Sequence, residues 1–118
     1  MSADPGLIAL AAESVAPLGE PSARAMMGGA TLYCGGLAYA IVDDGAIWFK
    51  ADAASDVTRE AAGVPRFTYR RKDGTTASMN YRRAPEDCYD DPDAFRRWAA
   101  LALEAATRAA VNKAALIR

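Results

Sequence analysis

The sequence predicts an α+β domain built on an antiparallel sheet, in the order helix, three strands, helix, two strands, helix. Three observations predict it. Asp4-Pro5 and Asp91-Pro92 each open a run with apolar residues at helical spacing. Short alternating runs separated by glycine turns fill residues 24–50 and 66–83. Helical patterns flank these strand groups and do not alternate strand by strand with them, which argues against a parallel sheet. At 118 residues the chain has room for one core, so residues 1–118 are read as a single domain.

The first helix is expected over about residues 5–16. Asp4 can cap the free amides, proline tolerates the first helical position, and Leu7, Ile8, Leu10, Ala11 and Val15 form a stripe that Pro17 ends. A loop is expected over 17–22. Three strands follow, divided by Gly35-Gly36 and Asp43-Asp44-Gly45. Gly28-Gly29 falls inside the first of them and reads as a bulge, with a ligand-contacting loop as the alternative. In the middle strand Leu37, Tyr39 and Ile41 alternate with Ala38, Ala40 and Val42; in the third, Ile47 and Phe49 alternate with Ala46 and Trp48. Neither face is polar, so both are expected to be covered, by helices or by a partner subunit.

A second, short helix is expected from about Ala53 to Ala62, with Ser55 as a cap and Gly63 and Pro65 as its stop. Its apolar face is weak. Arg66 to Arg83 then reads as a hairpin turning at Asp73-Gly74. Phe67 and Tyr69 share a face with Ala77, Met79 and Tyr81, while Thr68, Arg70, Ser78, Asn80 and Arg82 share the other. Such clean alternation implies that the aromatic side is buried and the polar side meets water. The last helix starts at Asp91-Pro92-Asp93, presents Phe95, Trp98, Ala99, Ala102, Ala106 and Ala109 on one stripe, and is expected to end near Lys113. Alanine, with 28 residues, dominates the apolar fraction and lets helices lie close.

Composition excludes several chemistries. The chain has no histidine, which removes the commonest general base and metal ligand and every Ser–His or Cys–His nucleophile pair. Cys34 and Cys88 lack metal or redox spacing and are expected as free thiols, a single disulfide being the alternative. Glu86, Asp87, Asp90, Asp91 and Asp93 do not follow a calcium-loop pattern, and no dinucleotide fingerprint occurs. No cofactor, metal or catalytic group is expected, and the reading is non-enzymatic. A net charge of −1 weighs against sequence-independent nucleic-acid binding. The cluster Arg66, Arg70, Arg71, Lys72, Arg82 and Arg83 still leaves a local basic patch, opposed by the acids that follow. Without a basic leader or a long apolar run, the chain is expected to be cytoplasmic, with no membrane association.

The run Arg24-Ala25-Met26-Met27-Gly28-Gly29, followed by Leu32-Tyr33, Gly36, Leu37 to Val42, Asp44-Gly45 and Trp48 to Asp52, resembles the TfoX (Sxy) N-terminal domain family. Ala62-Gly63, Phe67-Thr68-Tyr69, Asn80-Tyr81, Pro85-Glu86-Asp87, Trp98 and Ala105-Ala106 continue it in order, so it spans about residues 20–107. Met27 stands where that family usually has phenylalanine, and Ala30-Thr31 replaces a Tyr-Gly pair. The chain is expected to be a stand-alone member of that family, lacking the second, C-terminal domain of full-length competence regulators.

The resemblance implies a secretion-chaperone-like α+β fold and a regulatory role exercised through protein contacts, in transcription or competence. The expected partner is a protein, such as part of the transcription machinery. A homodimer is a further expectation. The candidate surface is Arg24, Met26, Met27, Gly28 and Gly29, with Arg70, Arg71, Lys72, Arg82 and Arg83 as a second patch. Two rivals are nucleic-acid binding by the Arg66–Arg83 hairpin and small-ligand binding near Gly28-Gly29, Lys50 and Tyr69.

Overall fold

A computed structural model describes residues 4–26 and 28–117, the side chains of 115–117 excepted. Helix α1 (Pro5–Val15) starts where Asp4 accepts hydrogen bonds from the Gly6 and Leu7 amides, and it tightens into a 3₁₀ turn at Ala16–Leu18 that absorbs Pro17. Strands β1 (Pro21–Met26), β2 (Gly29–Cys34), β3 (Leu37–Asp43) and β4 (Ala46–Lys50) precede helix α2 (Ala53–Ala61). Strands β5 (Arg66–Arg70) and β6 (Thr76–Arg83), a 3₁₀ turn at Glu86–Tyr89 and helix α3 (Pro92–Ile117) complete the chain. The six strands form one antiparallel sheet in the order β1-β2-β3-β4-β6-β5, so β1 and β5 are its edges.

The α+β class and the antiparallel sheet are as expected, with four strands before α2 in place of three. Gly28, at φ +74°, belongs to a tight turn and not to a bulge, so the expected first strand is a hairpin. The irregularity lies elsewhere. The β2–β3 register shifts by one residue at Leu32/Tyr33, where Ala40 and Ala38 are the successive partners. Tyr39 is the extra residue, and it joins Ala40 and Val42 in the core instead of sharing a face with Ile41. Asp52, not Ser55, caps α2; Ser55 reciprocates by accepting from the Asp52 amide. Helix α3 continues past Lys113 to Ile117.

All three helices lie on one side of the sheet. Leu32, Cys34, Tyr39, Ala40, Val42, Ile47 and Phe49 meet Ala11 and Val15 of α1 and Phe95, Ala99 and Ala102 of α3. Phe95 sets its ring edge against Phe49 at 5.2 Å between centroids, and the alanines after it bring α3 close to β3 and β4. Ala109, expected on the buried stripe, is exposed because the helix has by then passed beyond the sheet-facing core. The expectation that both faces are covered fails within this chain: no helix among the described residues packs on the side that carries Thr31, Ile41 and Trp48.

Candidate interaction surface

The helix-free face follows from strand register. Arg24 pairs with Thr31, Thr31 with Ile41, Ile41 with Trp48, and Trp48 with Arg83, placing all five on one side. Tyr69, opposite Ala77, extends that side to the far edge, and Phe67 stands two residues before it. Trp48 is the hub. Phe67 meets it edge-on at 5.1 Å, Tyr69 follows Phe67 at 6.5 Å, and the Arg83 guanidinium lies 5.8 Å from the indole centre. Lys50 reaches over the Tyr81 ring at 5.4 Å. Among the described residues, Met26, Tyr69 and Met79 are the large apolar side chains left exposed here, at 42%, 42% and 39%.

This reverses part of the expectation for the second hairpin. Arg82, on the face expected to meet water, is buried under α2, where it pairs with Asp56 and Glu60 and donates to the Val64 carbonyl. Arg66 joins it on Asp56 at 2.9 Å. Two rings of the other face, Tyr69 and that of the half-buried Phe67, look outward instead. The signal for this was in α2: Asp56 and Glu60, one turn apart on a helix with little apolar surface, need cations opposite them. The acidic run at 86–93 does not neutralise the hairpin; its Asp91 caps α3 and its Asp93 pairs with Arg96.

The candidate residues therefore separate. Arg24 and Met26 are exposed on β1, where the Met26 sulfur accepts from the Thr31 hydroxyl, and Gly28 is exposed in the adjoining turn. Met27 lies outside the described residues. Gly29 is buried: a Cβ built on it would stand 2.0 Å from the Val42 carbonyl oxygen, so its role is close backbone approach. Arg70, Arg71 and Lys72 are exposed around the β5–β6 turn, at the opposite edge of the sheet from Arg24. Arg82 is a structural ion-pair residue, and Arg83 alone of the hairpin cations joins the Trp48 cluster. Gly28-Gly29, Lys50 and Tyr69 do not come together, because the β1–β2 turn, β4 and β5 carry them on separated parts of the sheet.

Sequence reasoning missed one more residue. Arg59 of α2 is fully buried with no carboxylate partner among the described residues, its guanidinium 5.2 Å from the Phe49 ring and 5.4 Å from the Trp98 ring. Nη2 donates to the Trp98 carbonyl at 3.2 Å and the Lys50 carbonyl at 3.5 Å; Nε and Nη1 have no acceptor among the described residues. Burial lowers its pKa to about 10, leaving it charged at neutral pH and held by two π faces and two backbone dipoles. It ties α2 to β4 and α3. Both cysteines are free and buried; burial raises the Cys34 pKa and pushes Cys88 up to about 12, which keeps both thiols protonated and poorly nucleophilic.

No helix among the described residues is long and apolar enough to cross a membrane. The sequence profile of the TfoX N-terminal domain matches residues 13–106. No curated protein matches the chain.

Proposed function

Because this chain belongs to the TfoX N-terminal domain family, a regulatory type of domain, we propose that it is a non-enzymatic cytoplasmic module that regulates by protein contact. Its process is transcriptional control of the competence kind. The observation that carries the reading is the helix-free sheet face, where exposed or half-exposed rings surround Trp48 in a fold whose other face is closed. Trp, Tyr and Arg are the side chains that most often anchor protein interfaces, and here all three types meet. Arg24, Lys50 and Arg83 outnumber the carboxylates of Asp43 and Glu20 on this face, so a partner segment bearing acids around an apolar anchor is complementary.

The test is capture with a photo-crosslinker at Met26, exposed on the same face, identifying the captured protein by mass spectrometry. Crosslinking to RNA polymerase or a transcription activator, lost on Tyr69→Ala with Met79→Ala, is the expected result. Steep salt-dependent DNA affinity with no protein crosslink overturns it and favours the exposed Arg70, Arg71 and Lys72 as a phosphate contact.

A further inference from the structure

The two edges of the sheet differ. Strand β5 is five residues long, begins and ends with arginine, and pairs with β6 through a register break, all features that deter further strand pairing. Strand β1 has six residues in unbroken register with β2, and Ser22 to Met26 are all exposed. The Gly35 amide donates to the Glu20 carbonyl, and this sets the hydrogen-bonding phase of the β1–β2 ladder. Residues 20, 22, 24 and 26 turn their backbone groups to β2, so Ala23 and Ala25 turn theirs to the free edge. Pro21 has the same outward phase, where its missing N–H leaves no gap in the ladder.

We infer that β1 pairs antiparallel with β1 of a second copy of this chain, about a twofold axis at Ala23. In that register the two Ala23 residues exchange both of their backbone hydrogen bonds, and each Ala25 amide donates to the other copy's Pro21 carbonyl. Arg24 lies opposite Ser22 of the other copy and diagonal to its exposed Glu20, giving two symmetric opposite-charge pairs on the helix-free face. The neighbouring register, with its axis at Arg24, sets two guanidiniums directly opposite each other and is disfavoured. Alanine at 23 and 25 lets the strands approach without a steric barrier.

The helical side supports the same occupant. Half-buried Ile8 and Ala12 of α1 and Pro21 and Ala23 of β1 line a cavity of about 90 Å³ beside this edge. A twofold axis perpendicular to the sheet keeps both α1 helices on one side, flanking the axis, so that apolar surface adds to an otherwise narrow strand contact. With only one edge open, pairing closes at two copies and does not propagate.

Sedimentation equilibrium over a concentration series tests the proposal on the full chain. A dimer is expected. Arg24→Glu and Glu20→Arg should each raise the dissociation constant at least tenfold, and the double charge swap should restore it. Ala23→Pro should abolish the dimer while leaving the melting temperature of the monomer, compared at concentrations below the parent's dissociation constant, unchanged, because the amide it removes faces outward. A monomer across the accessible concentration range overturns the inference, as does a dimer indifferent to Ala23→Pro or a charge swap that fails to rescue.

Discussion

The two faces of the sheet are built from similar residues and used in opposite ways. Phe49 and Phe95 on the helical side are fully buried, their rings in contact with each other. Phe67 and Tyr69 on the other side make a comparable ring pair and remain accessible to solvent. Aromatic content alone does not say which side is core. What decides it is whether a helix has the complementary surface. Alanine-rich α3 fits flat against β3 and β4, whereas the cationic rim of Arg24, Lys50 and Arg83 offers a helix nothing apolar to continue onto. The covered face holds the fold together, and the open face keeps its rings accessible to solvent.

Substitutions on the two faces should separate sharply if this contrast holds. The largest effect is expected from Phe95→Ala, which opens a cavity against Phe49 and should cost about 3–5 kcal/mol in chemical denaturation. A cost below about 1 kcal/mol there would mean that the helical side is not the principal core. Arg59 sharpens the point, since it is polar yet sits on the covered side. Arg59→Ala should cost about 3 kcal/mol by emptying the space between Phe49 and Trp98. Arg59→Met keeps most of the volume and removes two unpartnered donors, so it should stay within about 1.5 kcal/mol of the parent.

Asp52 comes next. It caps α2 and takes a bidentate pair from Arg108 of α3, at 2.6 and 2.9 Å, fastening the periphery of the helical side. Asp52→Ala should cost about 1 kcal/mol at neutral pH. The Arg108 hydrogen bonds hold the Asp52 carboxyl at about 2, below its ordinary value near 3.8. A depressed folded-state value stabilises above that ordinary value and loses its effect as pH falls toward 2. The difference in melting temperature between parent and Asp52→Ala should therefore be full at pH 7 and shrink below about pH 4. The smallest effect on stability belongs to Tyr69→Ala, expected within about 0.5 kcal/mol, while partner capture falls; a large unfolding cost would make Tyr69 part of the core.

Most of this architecture can be read along the chain, because caps and turns are local. Asp4-Pro5, Asp91-Pro92 and Asp73-Gly74 each mark a boundary that the structure keeps. The assignment of faces is not local. Alternation in 66–83 yields two surfaces and cannot say which one a helix will cover, and that choice was made by Asp56 and Glu60 on a separate element. The Tyr39 bulge likewise depends on its partner strand, since nothing in the run Leu37 to Val42 announces a doubled residue. Of the candidate surface, Arg24 and Met26 are exposed on the helix-free face and Arg83 lies beside Trp48, as alternation alone would place them. Arg82 and Gly29 are buried, and Trp48, at the centre, gave no signal beyond its alternation.

Gly29 carries a practical consequence for anyone mapping the proposed contact surface. Even one methyl group there drives into the Val42 carbonyl and must push β2 away from β3. An alanine scan through the Met-Met-Gly-Gly stretch would score position 29 as its most sensitive site, yet the lesion would be a dislocated sheet and not a severed handshake. Only a companion folding assay on each scanned variant tells these two kinds of damage apart.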